Sequence, residues 1–404
     1  MLSHTLAFVP EDEFFFASLP ARAAVFLLRG ENSSEPYISK TANLRRRLQR
    51  LLGPQSEHSK RLNLRNQVRS IEYTPTGSDF ESTFLLYRLV RSIFPKTYSS
   101  RLKFRFPALI RMHLQNPYPR ASITTRLGRL DEKSLGKSHY YGPFRSRTVA
   151  EKFANSSLDF FKMRRCVDDL HPDPQFPGCI YSEMKMCLAP CFKGCTDEQY
   201  EEEVSRVQSY FETSGDSLLR EISAQRDQAS ANLEFENAAA LHAKLEKIKP
   251  VVAQLPEIVR RVDQLRALLI QPGADAGTVC FYQIDAGVIR GPIAFSIEPA
   301  EHTKSQSMEA RIEQALTTVA ESQPHGAPEN AARETSPQVS ALETMEHLAI
   351  LSRWYYRSRR VGEIFFADSK GVLPLRRIVR GLSRVYNGVN APTEDAPQEI
   401  LPSQ

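Results

Sequence analysis

The sequence predicts an α+β protein built from several domains, and three observations lead to that prediction. Short apolar runs rich in β-branched and aromatic residues, typical of strands, alternate with stretches whose apolar residues recur every three or four positions, as in helices. A cluster of cysteines divides the chain, and the net charge changes sign at the same place. With 404 residues, the chain is long enough for about two to four domains with their own cores.

Charge is distributed unevenly along the sequence. Residues 1–165 carry 29 Lys and Arg against 13 Asp and Glu, a net charge of +16, whereas residues 166–404 carry a net charge of −10. A basic half of this size is typical of proteins that bind the phosphate backbone of nucleic acids, and an acidic, helix-rich half is typical of a protein-binding region.

Targeting signals are not indicated near the start of the sequence. The apolar run at residues 14–16 is too short to span a membrane, and three acidic residues precede it where a secretory leader would carry positive charge. We therefore expect a cytoplasmic protein with no membrane contact.

The first predicted element is a buried strand at residues 22–29, an apolar run that follows Pro20 and precedes Gly30. Residues 36–39 follow a turn and are its predicted hairpin partner. The next segment is a predicted helix capped near Thr41, whose inward-facing residues are Leu44, Leu48 and Leu51. A second helix is predicted at residues 81–94, ended by Pro95.

Residues 101–150 are basic and rich in predicted strands, with aromatic residues interleaved. They are compatible with a DNA-facing platform, in which cations contact phosphates and aromatic rings stack on bases. They are equally compatible with an aromatic core beneath a solvated basic face. The aromatic residues concerned are Phe104, Phe106, Tyr118, Tyr140, Tyr141 and Phe144.

Four of the six cysteines lie between Cys166 and Cys191, with twelve, seven and three residues between successive members. Cys195 follows one turn later. Thiols gathered this closely predict a zinc site or an iron–sulfur cluster. The alternatives are buried cysteines without a ligand and, less well suited to a chain of this length, a disulfide framework.

The segment after the cysteines is predicted to be helical. Thr196 and Gln199 form a capping box that opens the first helix. Two further helices, at about residues 216–231 and 234–249, predict an antiparallel hairpin. One hairpin buries too little surface to be stable alone, so either another protein or the rest of this chain must cover it.

Beyond residue 250 the patterns are shorter. Apolar runs predict strands, a segment rich in Pro, Ser and Glu predicts a disordered linker, and two stretches have helical periodicity. The predicted elements are strands at residues 267–270, 278–284 and 289–297, a linker at 322–340, a helix at 341–357, a strand at 363–367 and a helix at 375–385.

These motifs, taken in order, resemble the bacterial UvrC family of the excinuclease ABC system. The hairpin reaching Tyr37-Ile38-Ser39-Lys40 and the following helix are similar to a GIY-YIG nuclease domain. Later landmarks are residues 140–144 (YYGPF), the cysteine spacing with residues 185–191 (KMCLAPC), and residues 232–239 (NLEFENAA). Together they cover roughly residues 20–250.

The resemblance implies a division of the chain. The expected parts are a degenerate GIY-YIG-like α/β sandwich at residues 20–104, a basic strand-rich extension at 105–165, a cysteine segment at 166–195, a helical region with a UVR-type hairpin at 196–252, a partial α/β region resembling the start of the family's second half at 253–390, and a tail at 391–404.

An intact site of this family implies two tyrosines, a lysine, an arginine, a metal-binding glutamate and an asparagine. Tyr37, Lys40 and Arg47 stand at three of these positions. The resemblance therefore implies that part of the catalytic set is retained. The cations expected to contact DNA phosphates are Lys40, Arg45, Arg46, Arg47 and Arg50.

The remaining site positions depart from the family pattern. Phe26 replaces the first tyrosine, Leu86 replaces the glutamate, and Ser99 or Tyr98 replaces the asparagine. Glu81 is the nearest glutamate, but in a regular helix it lies about 140° around the axis from Leu86. The sequence therefore offers no evident ligand for magnesium or manganese at this site.

For the cysteines, the resemblance favours a [4Fe-4S] cluster over zinc, held by Cys166, Cys179, Cys187 and Cys191. The helical hairpin resembles the UVR motif, which implies a UvrB-type protein partner bound through Leu233 and Phe235 at the hairpin tip.

The function implied by the resemblance is nucleotide excision repair within the SOS response to DNA damage. We expect a DNA-binding component whose N-terminal nuclease site is impaired or inactive. The alternative is an active metal-dependent endonuclease that makes a single incision at damaged DNA.

Overall fold

The computed structural model describes residues 2–12, 14–30, 35–54, 61–128, 138–167, 170–298, 306–321 and 340–388. Within these ranges helices accompany three four-stranded sheets, which confirms the predicted α+β class. Neighbouring strands in each sheet run antiparallel, including those of the C-terminal region, where the sequence predicts an α/β arrangement. The predicted linker at 322–340 lies outside the described residues except for Ser340, and so does the predicted tail.

The first sheet contains the predicted hairpin. Its strands are β1 (His4–Ala7), β2 (Ala24–Gly30), β3 (Tyr37–Thr41) and β4 (Val68–Pro75), in the order β1-β4-β2-β3. Two helices accompany it, α1 (Phe15–Ser18) and α2 (Leu44–Leu52). The inward leucines of α2 are buried as predicted and share a core with Phe26 and Leu28 of β2.

Two local features of this sheet differ from the sequence prediction. The cap of α2 is Asn43 rather than Thr41, because the Asn43 side chain accepts a hydrogen bond from the Arg46 backbone N–H. The edge strand β1 and its partner β4 have no counterparts among the predicted strands. The two strands lie far apart in sequence, and local patterns do not reveal such a pairing.

The middle sheet lies beyond two helices, α3 (Asp79–Ile93) and α4 (Tyr98–Leu102). Its strands are β5 (Ala108–His113), β6 (Ala121–Thr124), β7 (Ser138–Phe144) and β8 (Arg260–Arg261), in the order β6-β5-β7-β8. Helix α5 (Arg147–Leu158) packs on it.

The packing of this sheet favours one of the two interpretations of its aromatic residues. Tyr141 and Phe144 are each only 1% exposed and belong to the large core. Phe104, Phe106 and Tyr118 are half-buried and pack against the same core. These rings therefore support the fold rather than form an open stacking platform.

The helical region follows the cysteines. Its helices are α6 (Ile180–Glu183), α7 (Asp197–Glu212), α8 (Asp216–Ala231) and α9 (Phe235–Ala253). The capping box of Thr196 and Gln199 is present at the start of α7, as predicted.

Helices α8 and α9 pack against each other as a hairpin whose two ends differ in environment. Leu218, Ile222, Leu245 and Ile248 are buried in the large core of this chain. Residues 231–237, around the connection between the helices, are all exposed. The base of the hairpin is thus covered by the chain itself, whereas the tip projects into solvent.

The C-terminal sheet has the order β11-β10-β9-β12. Its strands are β9 (Ala267–Pro272), β10 (Thr278–Asp285), β11 (Val288–Ser296) and β12 (Glu363–Phe366), and its helices are α10 (Met308–Glu321), α11 (Ala341–Tyr355) and α12 (Leu375–Tyr386). Successive residues of β9 enter different cores, since Ala267 and Leu269 face the large core while Leu268 and Ile270 face α10 and α12.

The large hydrophobic core joins segments that the sequence assigns to different domains. It takes Phe80, Phe84 and Tyr87 from α3, the buried rings of β7, and residues from the helical region and the C-terminal sheet. Helix α3 therefore belongs to the first segment in sequence but packs with the middle and the end of the chain.

Helices α3 and α11 pack side by side in opposite directions. Near the end of α3, Arg91 pairs with Glu343 near the start of α11 at 2.8 Å. At the other end, the Phe80 ring lies 6.0 Å from the Trp354 ring, measured between centroids.

In the described part of the chain, no helix combines the length and the apolarity that crossing a lipid bilayer requires.

A fully buried carboxylate lies between these helices. Glu346 accepts hydrogen bonds from the Tyr87 hydroxyl at 2.8 Å and the Tyr98 hydroxyl at 2.7 Å. Arg91 lies 3.9 Å from the same carboxylate and also donates to the Tyr87 hydroxyl. Burial, together with the hydrogen bond to Glu346, raises the pKa of Tyr98 to about 12, so this hydroxyl remains a donor at neutral pH.

We expect Tyr87→Phe to lower the free energy of unfolding by about 1–3 kcal/mol, because it removes a hydrogen bond from a buried carboxylate. Urea unfolding followed by circular dichroism measures the change. Tyr386→Phe is the matched control, since Tyr386 is 48% exposed. Equal midpoints for the two variants would contradict the assigned role of the Glu346 contact.

Candidate functional site

Two of the predicted site residues meet beside α2. The Arg47 guanidinium donates a hydrogen bond to the Tyr37 hydroxyl at 3.0 Å. The Phe26 ring lies 6.1 Å from the Tyr37 ring and is fully buried. Phe26 is thus a core residue next to the site, and it brings no hydroxyl group to it.

Lys40, the third retained position, contacts α3 instead. Its ammonium group donates to the Asp79 carboxylate at 2.5 Å and to the Thr83 hydroxyl at 2.6 Å. Arg357 pairs with the other oxygen of Asp79 at 2.7 Å. One carboxylate therefore holds two cations, one from the first sheet and one from the C-terminal region.

The charge state of Asp79 follows from these neighbours. Partial burial by itself would raise the pKa of its carboxyl, but the hydrogen bond and charge of Lys40 and the charge of Arg357 outweigh that effect, so the pKa lies below its ordinary value. Asp79 is consequently ionised at neutral pH.

The site is divided by the edge strand β3. Tyr37 and Lys40 are three residues apart on this strand, so their side chains leave opposite faces of the sheet. The Tyr37–Arg47 contact lies on the α2 side, and the Lys40–Asp79 contact lies on the α3 side. The three retained residues thus form two sets that meet at an exposed edge.

Leu86 lies on the face of α3 that carries Asp79. Leu86 follows Asp79 by seven positions, which places it about 20° around the helix axis and about 10 Å along the axis from Asp79. Leu86 is half-buried. The position expected to hold a metal ligand therefore belongs to the correct helix face, but its side chain is apolar.

Glu81 serves the fold on another side of α3. It is buried, and its carboxylate accepts hydrogen bonds from the Gly77 N–H at 2.7 Å and from the Cys280 thiol of β10 at 3.8 Å. Burial raises the pKa of this carboxyl. The contacts agree with the expectation that Glu81 points away from the site.

The two candidates for the asparagine position differ in what they contact. Tyr98 is turned toward Glu346, and Ser99 is exposed at the start of α4. Neither contacts the Lys40–Asp79 pair through a hydrogen bond in the described residues.

The arginines of α2 also differ in what they contact. Arg45 donates to the backbone carbonyls of Leu19 at 2.8 Å and Ala17 at 3.0 Å, at the end of α1. Arg46 and Arg50 are exposed. Arg45 therefore has a structural contact, and Arg46 and Arg50 are the better placed of the three to contact a phosphate backbone.

The four clustered cysteines are free thiols, all partly buried. Two of them accept hydrogen bonds: Cys166 from the buried Arg164 guanidinium at 3.4 Å, and Cys187 from the Ala189 N–H at 3.3 Å. N–H donors directed at sulfur are typical surroundings of thiolate ligands. The chemistry of this donor set fits a soft metal or an iron–sulfur cluster.

The thiols influence one another electrostatically. Burial raises the pKa of the Cys187 thiol to about 11, and the neighbouring Cys166, Cys191 and Cys179 add to the rise. Across the described residues, however, no three His, Cys, Asp or Glu side chains are arranged to hold a metal ion.

The tip of the α8–α9 hairpin exposes two apolar side chains. Leu233 is 71% exposed and Phe235 is 65% exposed. Leu233 also has a positive φ of 63°, in the left-handed region that disfavours branched side chains. An exposed leucine and phenylalanine on a turn of this kind present an apolar surface suited to contact with another protein.

Sequence reasoning missed two residues of this site. Asp79 could have been found, because it precedes Leu86 by two helical turns on the same face. Arg357 carried no local signal, since its contact with Asp79 depends on the packing of α11 along α3.

Comparison with known proteins supports the family resemblance. The model of the UvrC/Cho excinuclease middle domain matches residues 109–210, which contain β5, the clustered cysteines and most of α7. The three retained positions Tyr37, Lys40 and Arg47, together with Leu86, precede this range.

Several relatives are named UvrABC system protein C, and two of them illustrate the similarity. That of Methanothermobacter thermautotrophicus is 26% identical over 299 residues, covering 73% of this chain and 48% of the relative. That of Francisella tularensis subsp. holarctica is 24% identical over 298 residues, covering 73% and 47%. The chain thus spans about half the length of the curated relatives it matches. No solved structure matches it.

Proposed function

Because the chain belongs to the UvrC excinuclease family, we propose that it acts in nucleotide excision repair as a cytoplasmic DNA-binding component. In this proposal its N-terminal nuclease-like domain binds DNA but cleaves it slowly or not at all. The observation that carries the proposal is Leu86, an apolar side chain on the site-facing surface of α3 where the family resemblance implies a metal-binding glutamate.

The chemistry of phosphodiester cleavage explains why this position matters. Cleavage needs an activated water and groups that neutralise charge on the phosphate and on the leaving oxygen, and a divalent metal supplies much of this when it is bound. In this proposal the Arg47 guanidinium neutralises phosphate charge and the Tyr37 hydroxyl orients water, which the hydrogen bond between the two groups supports. Leu86 contributes no oxygen ligand.

A working endonuclease that makes a single incision is the second candidate, and Asp79 is the observation that favours it. Asp79 is an ionised carboxylate on the same face of α3. Two facts weigh against it: Asp79 lies about 10 Å from position 86 along the helix, and Lys40 and Arg357 already neutralise it. The impaired site is therefore the better supported interpretation.

We also propose that Cys166, Cys179, Cys187 and Cys191 hold a [4Fe-4S] cluster, with zinc as the alternative. Four free thiols within one short segment, two of them accepting N–H donors, support this ligand set. For the hairpin we propose a UvrB-type protein as partner, supported by the exposed Leu233 and Phe235.

Restoring the missing carboxylate tests the impaired site. Leu86→Glu, alone and combined with Phe26→Tyr, should raise magnesium- or manganese-dependent nicking of plasmid DNA over the parent protein by about 100-fold or more, since one preorganised electrostatic partner is commonly worth that much. Leu85→Glu is the matched control, because it adds the same group about 100° around the helix. If the parent already nicks DNA in magnesium and Arg47→Ala abolishes this, the active endonuclease replaces the impaired site as the function of this domain.

Substituting single cysteines tests the ligand set. Protein purified without oxygen should be brown, and Cys187→Ser should lose the colour and most of the iron. Cys195→Ser should keep both, because Cys195 lies outside the proposed four. Colourless protein with one zinc per chain would identify zinc as the occupant. Equal metal loss in both variants, or a parent protein without either metal, would rule out this ligand set.

Replacing the exposed residues at the hairpin tip tests the partner. Leu233→Asp combined with Phe235→Asp should weaken binding of a UvrB-type protein by about 2 kcal/mol or more, roughly 30-fold in Kd, measured by titration calorimetry. Leu342→Asp is the control, since Leu342 is also an exposed apolar residue but lies on α11. Unchanged affinity of the double variant would show that another surface binds the partner.

A further inference from the structure

The end of the chain contains a strongly basic segment inside the acidic half. Residues 353–386 carry nine Lys and Arg against two Asp and Glu, a net charge of +7, whereas the half that contains them has a net charge of −10. Apart from Arg357, no residue of this segment enters the proposed function. Its charge alone is compatible with a solvated surface, so its position in the fold decides what it can do.

Helix α11 carries the start of this segment to the nuclease-like site. Because α11 runs antiparallel to α3, its first turns lie at Arg91 and its last turn lies at the start of α3, where Trp354 packs on Phe80. The chain leaves α11 at this point, and Arg357 pairs with Asp79 at 2.7 Å. Asp79 in turn holds Lys40 of β3. The C-terminal arginines therefore begin next to a retained residue of the site.

The arginines of this segment are presented to solvent from an ordered base. Arg353 and Arg359 are exposed, and Arg353 lies in the last turn of α11, four residues before Arg357. The Arg360 guanidinium lies over the Trp354 ring at 5.3 Å and the Tyr355 ring at 4.8 Å, which fixes the path of the chain after α11. The buried Glu346 contact holds α11 against α3 and α4.

The local charge balance favours an anionic ligand. At the junction the single carboxylate of Asp79 is shared by Lys40 and Arg357, which leaves one positive charge in excess. Arg353 and Arg359 of the C-terminal region add two further positive charges. The exposed Arg46 and Arg50 add two from α2 of the first domain. A polyanion that reaches Lys40 would meet cations from both ends of the chain.

We propose that Arg353, Arg357 and Arg359 extend the phosphate-binding surface of the nuclease-like domain, so that the backbone of bound DNA contacts the C-terminal region as well. This inference rests on the proposed DNA binding and deepens it by naming a second set of contacts. The Lys40–Asp79–Arg357 contact joins the two sets.

The slope of log affinity against log salt concentration is the direct measurement. This slope is negative, and each phosphate contact that is lost reduces its magnitude by about 0.9. We would measure binding of the full-length chain to fluorescent duplex DNA between low and moderate salt. The test variant is Arg353→Gln combined with Arg359→Gln, which leaves the Arg357–Asp79 pair in place. The magnitude of its slope should be smaller than that of the parent by about 2.

The matched control is Arg220→Gln combined with Arg226→Gln on the hairpin. It removes the same charge from α8, where Arg220 pairs with Asp216 and Arg226 with Asp227. We expect the slope of this control to equal that of the parent. Equal slopes for the parent and the test variant would overturn this inference alone, as would an equal decrease in both double variants. A parent protein without salt-dependent DNA binding would overturn the proposed function and this inference together.

Discussion

The buried carboxylate of Glu346 is the constraint on which the arrangement of this protein depends. A carboxylate removed from water costs several kcal/mol unless charges and hydrogen bonds compensate it. Here the compensation comes from Tyr87, Tyr98 and Arg91 of α3 and α4, whereas Glu346 itself belongs to α11. Any shift between α3 and α11 would therefore separate a buried ion from its partners. This requirement, together with apolar packing, holds α3 and α4 against α11.

This constraint gives α3 two functions on two faces. One face carries Phe80, Phe84 and Tyr87 into the large core, and the other carries Asp79, Thr83 and Leu86 along the nuclease-like site. The residues that hold the fold and those expected to perform chemistry are therefore different residues of one helix. Leu86 is not a member of the hydrophobic cores, so the residue at position 86 can differ without loss of a core contact. The proposed function therefore requires no change in the fold of this domain.

Sequence reasoning succeeded where the signal is local and failed where it is not. The apolar periodicity predicted α2 and α8 closely, and the capping box fixed the start of α7. The edge strand β1 was missed because four residues carry little periodicity and its partner β4 is distant in sequence. The role of Arg357 was missed for the same reason: a surface arginine carries no sign of the carboxylate it will meet. Likewise, the aromatic residues of β7 suited a core or a platform equally until their packing was known.

The net charge of one half of the sequence does not describe which charges lie close together in the folded protein. Residues 166–352 have a net charge of −14, and the basic segment that follows them has a net charge of +7. Along the chain the order is therefore basic, acidic, basic, which a division into two halves conceals. The antiparallel packing of α11 on α3 brings the start of the second basic segment beside the first domain. The acidic stretch instead includes the hairpin, whose tip is exposed. Positive charges that are far apart in the sequence therefore lie close together in the structure, and the binding of a polyanion would relieve their repulsion.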